Sequence, residues 1–96
     1  MKAVIYNVSG WINSADELVI KQYFDELLIK SGFTILSYQD HQFNPIGYSG
    51  LWLLAESHFA LHTFPEENKS YIELSSCNEE FYQRFKSECG LFWNCW

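Results

Sequence analysis

The chain has 96 residues, a formal charge of -6, 48% hydrophobic and 19% aromatic content. One domain, 1–96, follows from that length, with a modest core that profits from a partner subunit; the acidic balance excludes a nucleic-acid surface and suits a small cationic ligand. No apolar run reaches membrane-span length, the N-terminal segment lacks a signal-peptide pattern, and three cysteines without a secretion signal favour free thiols in a cytoplasmic protein.

Residues 2–8, KAVIYNV, predict a first strand, with Gly10 and Asn13 marking its exit. Ser14 then opens a helix, and Glu17 completes a Ser-x-x-Glu capping box. Leu18, Ile20, Phe24, Leu27 and Leu28 recur near helical spacing up to Ser31-Gly32, where glycine can take the left-handed terminal conformation. Phe33 to Gln39 alternates weakly as a second strand and runs into the turn-prone Asp40 and Asn44-Pro45.

The stretch from Gly47 to Pro65, GYSGLWLLAESHFALHTFP, is too long for one strand. It predicts two antiparallel strands, roughly 50–55 and 59–64, with a tight turn at Glu56 to His58. Ser57 and His62 stand five apart, on opposite faces of a continuous strand, and a bend or bulge near Ser57 would bring both to one side. Glu66 to Asn68 makes a polar turn, Tyr71 to Cys77 alternates as a fifth strand, and Asn78 opens a second helix with Phe81, Tyr82 and Phe85 on its buried face. The aromatic tail Leu91 to Trp96 is expected on the domain's own core or on a second subunit. Together these elements predict an α/β two-layer sandwich, a mostly antiparallel sheet with two helices packed on one face.

Taken singly, the polar residues of this stretch have ordinary explanations. Ser57 and Glu56 suit a hairpin turn, His62 a hydrogen-bonded histidine, Cys77 a small buried hydrophobe, and Phe43 and Phe64 a core. His58 and His62 have the spacing of a helical metal pair, but their strand context and the lack of any Cys-x-x-Cys argue for no metal. Gly47-Tyr48-Ser49-Gly50 is followed by Leu51, where a hydrolase nucleophile elbow needs glycine.

Jointly, Ser49 in Gly-Tyr-Ser-Gly, Glu56-Ser57-His58, His62-Thr63-Phe64-Pro65-Glu66 and Cys77, in this order and spacing, resemble the bacterial S-adenosylmethionine decarboxylase family of self-processing pyruvoyl enzymes. The resemblance runs from about His41 to Cys77 and implies cleavage between Glu56 and Ser57, giving chains 1–56 and 57–96 with a pyruvoyl group derived from Ser57. It further implies His62 as base for the elimination, Ser49 as a hydroxyl that helps the ester form, and Cys77 as proton donor during decarboxylation. That last role needs the thiol protonated rather than activated as a thiolate. Phe43 and Phe64 match rings that stack on adenine, and Glu66 matches a carboxylate that holds the ribose hydroxyls. A homodimer with sites near the subunit interface, acting in polyamine (spermidine) synthesis, is also implied.

The chain departs from the family pattern in places. Its first strand is short and carries no histidine, Asn78 follows Cys77 where glycine is common, and Phe64 replaces a usual tryptophan; the aromatic tail stands in place of a C-terminal extension. These leave the processing residues intact and open the substrate to ornithine or arginine, with a non-catalytic binding or regulatory homologue as a further alternative.

Overall fold

Alternation of apolar and polar side chains builds a five-stranded sheet with one covered face. The structure, a computed structural model, describes residues 3–92. Its elements are β1 (Tyr6–Ile12), α1 (Glu17–Ser31), β2 (Ile35–Gln42), β3 (Tyr48–Leu54), β4 (Ser57–Phe64), one turn of 3-10 helix (Pro65–Glu67), β5 (Lys69–Ser76) and α2 (Glu79–Phe92). The strand order is β1-β5-β4-β3-β2, and every neighbouring pair is antiparallel. Both helices pack on one face, which confirms the expected α/β two-layer architecture.

Several boundaries differ from the sequence reading. β1 begins at Tyr6 and runs through Gly10, because Gly10 pairs with Ile72 and the ladder to β5 continues to Ile12. Sheet pairing and the burial of Val8 and Ile12 outweigh the low strand propensity of glycine. The cap of α1 is Asp16, whose carboxylate accepts the Val19 N–H at 3.3 Å. Ser14 lies outside the helix; its carbonyl accepts the Ser70 hydroxyl at 2.7 Å and so ties the helix entry to β5. Leu18, expected in the core, is 75% exposed, whereas Ile20, Phe24, Leu27 and Leu28 are buried as expected.

The end of α1 follows the glycine rule. Gly32 has a φ of 114° and donates to Ile29, and the Phe33 N–H reaches back to Leu28, so two terminal carbonyls are satisfied. A side chain at Gly32 would also strike the Phe81 ring, which packs edge-on against Phe33. At the other helix, Asn78 Oδ1 accepts the Phe81 N–H at 3.0 Å, the N-cap its sequence position predicted.

The core lies between sheet and helices. Phe24 of α1, Phe59 of β4 and Phe85 of α2 meet with ring centroids 4.8 to 6.1 Å apart, and Trp52 packs on Phe59. Each fully buried ring contributes about 1.5–3 kcal/mol of burial free energy, so this cluster holds the two layers together. Trp52 keeps its indole N–H satisfied through the Asp25 carboxylate at 2.6 Å. Cys89, buried in α2, is disulfide-bonded, which corrects the expectation of free thiols there; Cys77 is free. Residues 93–96, and with them the expected docking of the aromatic tail, lie outside the described residues. Among the described residues no helix is long and apolar enough to cross a membrane.

Candidate functional site

The sheet face away from the helices carries the chemistry-bearing residues. Because side chains alternate, Ser49, Leu51 and Leu53 of β3, His58, Ala60 and His62 of β4, and Tyr71, Glu73 and Ser75 of β5 share this open face. The even-numbered residues of β3 and β5 and the odd-numbered ones of β4 face the core. Ser57 therefore points toward the helices and His62 away from them.

At one end of the sheet, β3 and β4 are joined by two residues, Ala55 and Glu56, and the ladder restarts at once with Leu54 opposite Ser57. Glu56 adopts a φ of 61°. A residue with a Cβ pays roughly 1–2 kcal/mol for that left-handed conformation, and the hairpin closure holds it there. The Cys77 thiol, one residue beyond the end of β5, donates to the Glu56 main-chain carbonyl at 3.2 Å and lies 3.6 Å from the Glu56 carboxylate. The Ser57 hydroxyl, on the other side of the same peptide bond, donates to Ser76 Oγ at 3.0 Å. A hollow of about 420 Å³ opens here between Ile5, Leu36, Glu56, Ser57 and His58.

The second cluster sits toward the opposite end of the same strands. Ser49 and His62 are direct cross-strand partners, and Ser49 Oγ lies 2.7 Å from His62 Nδ1. Two adjoining hollows of about 280 Å³ each share these two residues. One of them is walled by Phe43 from the β2–β3 loop, Phe64 at the end of β4 and Glu66 in the 3-10 turn, which meet beside the imidazole. Phe43 is steadied by an edge contact with His41 at 4.7 Å, and Phe64 by Trp11 at 5.6 Å.

Beneath this cluster, a polar network locks β3 to β2 and α1. Tyr48 donates to Asp40 at 2.6 Å and shares a short contact with the Tyr38 hydroxyl, while Lys21 bridges to Asp25 at 2.7 Å. Burial pushes the Tyr48 phenol well above the usual tyrosine range, helped by the carboxylate of Asp40 that accepts its hydrogen bond. The Tyr48 N–H donates to Thr63 Oγ1 at 3.0 Å, which fastens the strands one residue from both Ser49 and His62.

The structure brings Glu56, Ser57 and Cys77 together, and separately Ser49, His62, Phe43, Phe64 and Glu66. It does not join the two sets. No bulge interrupts β4 between Ser57 and Phe64. Five residues of strand separate Ser57 from His62 by roughly 17 Å, on opposite faces. The expected bend or bulge near Ser57 that would bring Ser57 and His62 to one side is not there, because the turn is two residues long and leaves the register unbroken. The sequence alone does not mark Ser76 or Trp11 as part of either cluster. Ser76 was legible as the inward neighbour of Cys77 on an alternating strand, whereas nothing local ties Trp11 to Phe64.

Comparison with known proteins bears on the same residues. The family model described as S-adenosylmethionine decarboxylase matches residues 3–87. The S-adenosylmethionine decarboxylase proenzyme of Thermodesulfovibrio yellowstonii is 37% identical over 60 residues, covering 62% of this chain and 44% of that protein. The proenzyme of Prochlorococcus marinus is 34% identical over 65 residues, covering 68% and 52%, and that of Thermotoga maritima 37% over 62 residues, covering 65% and 48%. The chain spans about half the length of the curated relatives it matches. A crystal structure of the adenosylmethionine decarboxylase from Aquifex aeolicus superposes with a TM-score of 0.75 at 22% identity, over 91% of this chain and 78% of that one, which establishes a shared fold. With a family model that covers residues 3–87, the chain belongs to the S-adenosylmethionine decarboxylase family.

Proposed function

We propose that this chain is a self-cleaving proenzyme that becomes a pyruvoyl-dependent S-adenosylmethionine decarboxylase, a carboxy-lyase of polyamine synthesis that works in the cytoplasm as a homodimer. The observation that carries this reading is the Cys77 thiol donating to the Glu56 carbonyl at 3.2 Å, at a peptide whose carbonyl residue, Glu56, has a φ of 61°. A polarised carbonyl in a constrained turn, next to a serine hydroxyl, is what an acyl shift requires.

In that shift Ser57 Oγ attacks the Glu56 carbonyl carbon; the new C–O bond replaces the C–N bond, and the hydroxyl proton ends on the Ser57 nitrogen. A base then removes the Ser57 Cα proton, the Cβ–O bond breaks, and residues 1–56 leave with a carboxylate at Glu56. The dehydroalanine left at position 57 takes up water and loses ammonia, which leaves a pyruvoyl group at the head of residues 57–96. That group would supply the carbonyl that condenses with a substrate amine and draws electrons as carbon dioxide departs. Its site fits, because the group is made from Ser57 itself and Cys77 stands beside it as a proton source.

His62 is the base: its Nδ1 is held 2.7 Å from Ser49 Oγ, and in the tautomer that carries the proton on Nδ1 its Nε2 is the basic nitrogen. Within one subunit it lies too far away, so the site is completed by a second copy: Ser49 and His62 of one subunit meet the Glu56–Ser57 turn of the other. The open face supports such pairing, since Ile5, Leu36, Leu51 and Leu53 are exposed there. Phe43, Phe64 and Glu66 travel with His62 and would form the substrate wall, rings toward a sulfonium cation and its adenine, carboxylate toward ribose hydroxyls. The relatives' names favour S-adenosylmethionine over ornithine or arginine, and over a non-catalytic role.

Intact-mass measurement before and after incubation tests the reading. The expected result is fragments 1–56 and 57–96, an uncut Ser57→Ala chain, and carbon dioxide released from S-adenosylmethionine but not from ornithine or arginine. A wild-type chain that stays whole and releases none would overturn it.

A further inference from the structure

We infer that Ser76 is a positioning residue for cleavage of the Glu56–Ser57 bond, its hydroxyl holding that of Ser57 in line for attack. The inference rests on the self-cleavage reading above. Ser57 and Ser76 are direct partners across the β4–β5 ladder, and both are buried, at 8% and 1% exposure. The Ser57 hydroxyl donates to Ser76 Oγ at 3.0 Å. A serine side chain has three staggered positions open to it, and this bond selects one of them.

The acceptor is itself immobilised. Ser76 Oγ accepts the Asn78 N–H at 3.0 Å and donates to the Asn78 carbonyl at 3.3 Å, and Asn78 is the residue whose side chain caps α2. The anchor for the nucleophile is thus the start of a helix packed on the core. Adjacent residues at the end of β5 serve the two sides of one peptide bond: Ser76 holds the attacking hydroxyl, and Cys77 holds the carbonyl it attacks. With its proton committed to Ser76, Ser57 Oγ keeps its lone pairs free for the Glu56 carbon. The C–O bond forms, the C–N bond breaks and the hydroxyl proton ends on the Ser57 nitrogen, so Ser76 neither gains nor loses a proton.

The test compares cleavage rates of full-length Ser76→Ala, Ser76→Thr and Ser76→Val by intact mass, alongside circular dichroism and thermal midpoints. Removal of the hydroxyl in the Ala and Val variants is expected to slow cleavage by about tenfold or more, since small misplacements of a reacting group carry penalties of that order. Thr, equal in size to Val but with the hydroxyl retained, is expected to cleave near the wild-type rate. Folded Ala and Val variants that cleave as fast as wild type would overturn the role, as would Thr and Val slowed equally, which would assign the effect to volume. A wild-type chain that never cleaves would instead overturn the self-cleavage reading, whereas wild-type cleavage indifferent to Ser76 would sink this inference alone.

Discussion

On the proposed function, the separation of the two clusters would make cleavage a reaction between subunits, and mixing two inactive variants tests that directly. His62→Ala removes the base and Ser57→Ala removes the nucleophile, and each homodimer lacks one half of every site. The magnitude comes from the strand: five residues at about 3.3 Å each put His62 roughly 17 Å from Ser57, far beyond the 3 Å reach of a proton transfer. Within one subunit the imidazole contributes nothing, and loss of a general base slows the elimination by about 10²–10⁴-fold. In a mixed dimer, His62 of the Ser57→Ala chain faces Ser57 of the His62→Ala chain, and that one site is whole. With tags of different mass and random exchange of equal amounts, about half of the dimers are mixed at equilibrium. The expected outcome is therefore cut His62→Ala chain, starting at about half of its population, while the Ser57→Ala chain stays intact. Mixed dimers that form, as shown by native mass spectrometry, but leave both chains whole would refute the reasoning.

Two further perturbations probe the scaffold under the Ser49–His62 pair. The Tyr48 phenol is raised in the folded state by burial and by Asp40, so its stabilising effect is fully present below the unfolded value of about 10 and is lost as pH climbs above it. Tyr48→Phe is expected to flatten the fall of the urea midpoint between about pH 9.5 and 11 while costing about 1 kcal/mol at neutral pH; an unchanged alkaline slope would count against it. Gly50 faces the Tyr38 hydroxyl, which would lie 2.5 Å from an added Cβ. Gly50→Ala should therefore destabilise by about 1–3 kcal/mol in urea unfolding, and Tyr38→Phe in the same chain should recover part of the loss; additive effects would contradict this contact.

Much of this protein was legible locally. The amphipathic run of α1, its end at Gly32, the Asn78 cap, the polar turn after Phe64 and the alternation of the last strand follow from contacts within a few residues of chain. The spacing of Ser49, Glu56, Ser57, His62 and Cys77 was likewise sufficient to place the chain in its family, because those residues sit at set intervals along the β3–β4 hairpin and the end of β5. What tertiary structure decided was which of them share a face. The side-chain period of a strand is two, so a turn at residues 55–56 rather than 56–58 places Ser57 in the ladder and commits it to the core side, opposite His62. Pairing with β5 then sets Ser76 against Ser57 and Cys77 against Glu56, and pairing with β1 carries Trp11 to Phe64. Those partners lie 19 to 53 residues apart, where hydrogen-bonded register rather than local propensity determines the contact.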